Sequence, residues 1–181
     1  MNQLVILGRD GVINQVIEGG VQSAEQFEPI PGSLEAIARL NHSGFHIAVA
    51  TNQPGLARGQ IDIEAVNAIH SRMHQLLSRV GGHIDGLFIC PHDADAQCQC
   101  RKPGRGLLDE ISHRFQTPLE QSLLIGDELS DIEAAMAVNC PSILVLTGKG
   151  QVAAACLPDG SDIPMADNLA QAVEKLLRPW S

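Results

Sequence analysis

Short apolar runs alternate with amphipathic stretches along this chain. Residues 4–7 (LVIL), 46–50 (HIAVA), 86–90 (GLFIC), 122–126 (SLLIG) and 142–146 (SILVL) are continuous, of strand length, and bounded by polar residues or glycine. That is the pattern of strands covered on both faces. Between them a helical period runs over 33–44, with Ser33 as N-cap and Gly44 as stop, and over 62–82, closed by two glycines. Further helices are expected over 106–115, 130–139 and 168–177. Strands alternating with helices at this spacing predict an α/β fold around a parallel sheet. Right-handed crossovers then gather the strand C-termini, and the loops after them, along one edge.

Composition narrows this picture. With 181 residues the chain is expected to form one domain over 1–181. A hydrophobic share of 44% and a charged share of 18% describe an ordinary globular protein. No apolar run reaches membrane-span length and the N-terminus lacks a leader pattern, so a cytoplasmic location and no membrane partner are expected. A net charge of −9 without a basic stripe argues against nucleic acid. The partner class left is a small molecule, and a monomer is expected.

Three of the five cysteines crowd into one segment. Cys90, His92, Cys98 and Cys100 spell C-x-H-x5-C-x-C, three thiolates and an imidazole suited to tetrahedral zinc at about 2.0–2.3 Å. Four protein ligands leave no open position, so the metal is expected to be structural and to order residues 91–99. Cys140 and Cys156 read as ordinary thiols.

The remaining chemistry sits at the ends of the strands. GRDGVIN (8–14) follows the first, TNQPGLARG (51–59) ends the second, CRKP (100–103) precedes the helix at 106–115, and GDELSD (126–131) ends the fourth. In this order the motifs resemble the haloacid dehalogenase superfamily of aspartate-based phosphatases, over nearly the whole chain. Within it the likeness is to the heptose bisphosphate phosphatases, through RDGVIN, IPGSLEAIARL (30–40), ATNQ (50–53), GLARG (55–59), CPH (90–92), CQCRKP (98–103) and LTGKG (146–150). Histidinol-phosphate phosphatases are near relatives. Singly, each motif has a plain reading: Asp10-Gly11 as a tight turn, Asp131 as an early-helix carboxylate, Arg101 and Lys102 as surface charges. Four loops matching in order outweigh those readings.

The resemblance implies a three-layer Rossmann-like fold with a central parallel sheet, no large cap domain and a zinc-pinned loop. It also implies a magnesium-dependent phosphatase acting on a sugar phosphate in lipopolysaccharide core heptose synthesis. In such enzymes the first acid of a D-x-D loop attacks phosphorus and the second serves the leaving oxygen. Asp10 matches the second acid, and Gly8 stands at the nucleophile position. Thr51 matches the residue that holds the phosphoryl group and Lys102 the lysine that neutralises it. Asn52, Gln53 and Arg101 match substrate-binding positions, and Asp127 with Asp10 matches the magnesium site, with Asp131 completing G-D-x-x-x-D. Arg9 is expected to point away if strand alternation persists. Further departures are Val16 and Gly20 in the sugar-facing loop, Pro54, Arg105 and Glu128. With Gly8 in place of the carboxylate, the expectation is an inactive or nearly inactive phosphatase. Two alternatives stand beside it: a pseudophosphatase that binds a phosphorylated sugar or protein partner, and a histidinol-phosphate phosphatase.

Overall fold

A computed structural model describes residues 3–158 and 160–178. The strands are β1 (Gln3–Leu7), β2 (Phe45–Asn52), β3 (Gly86–Cys90), β4 (Ser122–Gly126), β5 (Ser142–Val145) and β6 (Met165–Ala166). The helices are α1 (Ser33–His42), α2 (Ile63–Arg79), α3 (Gly106–Phe115), α4 (Leu129–Met136), α5 (Gly150–Cys156) and α6 (Leu169–Leu177). All strand pairs are parallel, in the order β3-β2-β1-β4-β5-β6.

The two faces of β1 show why its apolar run is unbroken. Val5 and Leu7 pack with Ile37 and Leu40 of α1, Ile69 and Met73 of α2, and Leu169 and Val173 of α6. Leu4 and Ile6 pack on the other side with Leu107, Leu108 and Ile111 of α3 and Ala134 of α4. Helices thus cover both faces, and alternate side chains of one strand belong to two different cores. Ile132 of α4, Leu144 of β5 and Ala153 of α5 form a third, smaller cluster.

The expected strands all form, with β2 longer than its apolar run at both ends. The helix over 106–115 matches its expected span, α4 starts one residue earlier than expected and ends three short, and the others are one to three residues shorter at one or both ends. Asp62 caps α2 by accepting from the Ala65 N–H at 2.8 Å. Ser33 does not cap α1: the N-cap is Gly32, and Ser33 Oγ instead donates to the Ile13 carbonyl at 2.7 Å, tying the helix to the loop after β1. Neither α5 nor β6 was expected.

Because the order steps outward from β1 in both directions, the chain leaves the sheet on opposite sides around the C-termini of β1, β2 and β4. An open α/β sheet forms its crevice at this switch point.

Candidate active site

β1 hands its chain to a tight loop at Gly8, whose N–H donates to the Ile125 carbonyl of β4 at 3.0 Å. Strand alternation ends there, which changes the fate of Arg9. Instead of pointing away from the site, Arg9 is buried and its Nη2 donates to both oxygens of Asp10, at 3.1 and 2.9 Å. Its Nη1 donates to His70 Nε2 of α2 at 3.0 Å. Arginine has only donors, so that ring nitrogen must be unprotonated. Burial, Arg9 and His74 together hold the His70 pKa down at about 4, which keeps the imidazole in that form.

Asp10 also accepts from Asn14 Nδ2 at 2.9 Å and from Gln53 Nε2 at 3.1 Å. Burial raises its pKa, but Arg9, Asn14 and Gln53 outweigh burial and leave it below the usual carboxylate value. Gln53 bridges to the next strand, since its amide also donates to Thr51 Oγ1 at 2.9 Å. The acid of β1 and the hydroxyl of β2 are therefore set by one side chain.

Lys102 arrives from the loop before α3. Asn52 fixes that loop in both directions, donating to the Lys102 carbonyl at 3.2 Å and accepting from the Lys102 N–H at 3.1 Å. The Lys102 ammonium is buried, donating to the Ala50 carbonyl at 2.8 Å and to Asp131 Oδ1 at 2.5 Å. Asp131 Oδ2 accepts from the N–H groups of Asp127 and Glu128, so α4 is capped by the carboxylate that holds the lysine. Asp127 is buried against Gly11 and accepts from the Lys149 N–H at 2.9 Å. Burial pushes its pKa up to about 7; the Lys149 N–H opposes this, and the charges of Asp131 and Glu128 add to it. It is a carboxylate short of positive charge.

Asp10, Asn52 and Gln53 border a cleft of ≈ 350 Å³ whose walls also include Arg58, Arg101, Glu128 and Lys149. Its rim cations are largely engaged. Arg58 holds Asp93 through two contacts of 2.6 and 2.7 Å, and Lys149 holds Glu128 at 2.7 Å. Arg101 donates to the His92 carbonyl at 3.3 Å and has no carboxylate partner among the described residues. Val16, 41% exposed, and Gly20 sit on the same wall.

Beyond β3, the ligand atoms of Cys90, His92, Cys98 and Cys100 all lie within 4.8 Å of one another, and five of the six pairs are in contact at 3.2 to 3.7 Å. Zinc bonds of 2.0–2.3 Å to a tetrahedral set demand donor separations of about 3.3–3.8 Å, so these four atoms fit that ion. Burial raises the Cys98 pKa, but the Arg101 N–H at 3.4 Å and the neighbouring thiols bring it to about 7. No other group of three or more His, Cys, Asp or Glu donors converges in this way among the described residues.

Every residue singled out in the strand-end motifs thus meets at one edge of the sheet, except Gly8, which brings no side chain. What the motifs did not reveal is the support that Arg9 and Asn14, both within RDGVIN, give together with His70. No local spacing links Arg9 to a histidine 61 positions away.

This fold, with an acid loop after β1, a buried lysine and a capped G-D-x-x-x-D helix, defines a hydrolase of the haloacid dehalogenase class. Residues 99–172 match the HAD-hydrolase-like family model. The chain is 42% identical to the D-glycero-beta-D-manno-heptose-1,7-bisphosphate 7-phosphatase of Bordetella bronchiseptica over 178 residues, covering 97% of this chain and 98% of that one. The enzyme of that name from Pseudomonas aeruginosa is also 42% identical, over 176 residues. The B. bronchiseptica crystal structure, a complex with magnesium and phosphate, superposes with a TM-score of 0.92 and covers 98% of both chains. A D,D-heptose 1,7-bisphosphate phosphatase from Burkholderia thailandensis, 36% identical, superposes at 0.78. The chain belongs to the heptose-1,7-bisphosphate 7-phosphatase family, and by family it is a phosphoric monoester hydrolase.

Proposed function

We propose that this chain is a heptose bisphosphate phosphatase whose phosphate cradle is intact and whose own turnover is suppressed by Gly8. One observation carries the reading: Gln53 ties Asp10 to Thr51, and Asp131 holds Lys102, at one sheet edge, while the first position of the acid loop has no side chain.

In this reading the phosphoryl group rests on Thr51 and near the Lys102 ammonium, with Asn52 holding the lysine loop and Arg101 reaching the sugar-phosphate side. Asp10 serves the leaving oxygen. Its network of three donors orients it, and must loosen for it to carry a proton. Asp127, raised to about 7 by burial and by the neighbouring Asp131 and Glu128 carboxylates, suits a divalent cation together with the Asp10 carbonyl. Magnesium, when bound, supplies neutralisation of the phosphoryl oxygens. Gly8 removes one carboxylate from that set, so binding should be weaker than in the relatives. Zinc at Cys90, His92, Cys98 and Cys100 would hold the loop that carries Arg101 and Lys102. A cytoplasmic monomer working in lipopolysaccharide core heptose synthesis completes the proposal.

Gly8 also favours a second reading, a pseudophosphatase that binds a phosphorylated sugar or protein partner without releasing phosphate. The histidinol-phosphate reading has no residue of its own here to favour it. Calorimetry with heptose bisphosphate, histidinol phosphate and phosphate, alongside phosphate release from the same panel, separates the three. Phosphate binding with little release is the expected result, and absence of any phosphate binding would defeat the intact-cradle reading.

A further inference from the structure

The glycines at this sheet edge are of two kinds. A Cβ on Gly11, at φ +80°, would lie 1.9 Å from Asp127 Oδ2, and one on Gly126 would lie 2.4 Å from the Cβ of Asp131. No side chain fits at either. Gly8 differs: a Cβ there meets Val12 Cγ2 at 3.0 Å, a single methyl, and then nothing nearer than 3.8 Å, and its φ lies outside the left-handed range. One of its neighbours at 3.8 Å is Asp131 Oδ2, on the carboxylate whose other oxygen holds Lys102. The Lys102 ammonium has three hydrogens and two protein acceptors. Clearance for a Cβ and a lysine ammonium with one hydrogen left over thus flank the same aspartate.

We propose that the space beside Gly8 binds a small monocarboxylate from solution, formate in preference to acetate and acetate in preference to propionate. The order follows from contact distances. A free carbon must stand about 3.5–4.0 Å from the Gly8 Cα. Formate places its one carbon near where a side-chain carboxyl would lie, whereas the methyl of acetate is driven toward Val12 Cγ2.

On the phosphatase reading, the bound carboxylate completes the reaction site. A formate oxygen attacks phosphorus, the bond from phosphorus to the sugar oxygen breaks, and Asp10 passes its proton to the departing alkoxide. Sugar alcohol and formyl phosphate result. Water then hydrolyses the formyl phosphate, returning formate and phosphate, so the net change is hydrolysis of the ester. Attachment to the chain gives a carboxylate an effective molarity of about 10⁵–10⁸ M, so unbound formate at about 1 M would act roughly 10⁵–10⁸-fold more slowly than Gly8→Asp, and binding beside Gly8 narrows that gap.

The binding test uses the unmodified chain and carbon-13 formate, read by line broadening. Saturable broadening is expected, weakened in Gly8→Ala and abolished in Gly8→Asp, with circular dichroism confirming that both variants fold. Equal broadening in all three, or none in any, overturns the site. The turnover test adds heptose bisphosphate, magnesium and hydroxylamine, which traps formyl phosphate as formohydroxamate. Formate-dependent hydroxamate from the unmodified chain, beyond a chloride control, supports the completed reaction. An active Gly8→Asp beside a formate-binding but unproductive Gly8 chain overturns the turnover half alone. A silent Gly8→Asp defeats the phosphatase reading instead, and the binding result then decides the site by itself.

Discussion

The ammonium of Lys102 lies 2.5 Å from Asp131 Oδ1, and the two side chains are 7% and 3% exposed. A buried pair of this kind is far more costly to break than to replace, because a lone partner keeps its charge without solvent.

Lys102→Met should therefore cost about 3–5 kcal/mol of stability, since it strands the Asp131 carboxylate. Adding Asp131→Asn should recover a large part of that loss. Urea denaturation of both variants checks this; a single variant within ~1 kcal/mol of the parent would show that the pair is solvated in solution.

Gly8→Asp should fold and raise magnesium-dependent phosphate release from a heptose bisphosphate by several orders of magnitude. Only Val12 Cγ2 crowds the new Cβ, so the stability cost should stay within about 1–3 kcal/mol. A further Asp10→Asn should abolish the gain. If the folded, zinc-loaded Gly8→Asp chain remains silent on heptose bisphosphate, histidinol phosphate and aryl phosphates, the enzyme reading gives way to the binding one.

Purified protein should carry close to one zinc per chain. Cys90→Ser should lower the melting temperature by roughly 10 °C, corresponding to about 3 kcal/mol or more. Chelation should also expose Cys98 and Cys100 to alkylation. Zinc-free protein with both thiols already reactive would refute the site.

His70 makes stability depend on pH. Its pKa falls from 6.5 to about 4 on folding, so the unfolded chain takes up the proton more readily. This contribution is whole above pH 6.5, declines as pH falls toward 4, and totals roughly 3 kcal/mol by then. His70→Gln can keep an acceptor for Arg9 without titrating, so it should flatten the slope. Denaturation midpoints at pH 7.5 and 5 compare the two, and parallel slopes would rule out His70 as the source.

Much of the fold was legible because β1, β2, β4 and β5 are buried on both faces, and such strands appear as unbroken apolar runs. β6 has two residues and no run to detect. α5 (GQVAAAC) is short and lacks a side-chain cap, so it carries neither a start signal nor a clear polar face. The zinc group was legible because its four ligands fall within eleven positions. The Arg9–His70 contact was not, because it depends on how α2 packs across the end of β1. Ser33 was misread for a related reason: a hydroxyl beside a helix start can cap it or brace a neighbouring loop, and only the tertiary contact with Ile13 decides between them.

The clearance beside Gly8 also bears on what a side chain at this position would require. Here only one methyl presses on the position, and the surrounding carboxylates and lysine remain knitted together. An aspartate at this position asks for one codon, with no larger neighbour to be cut back first.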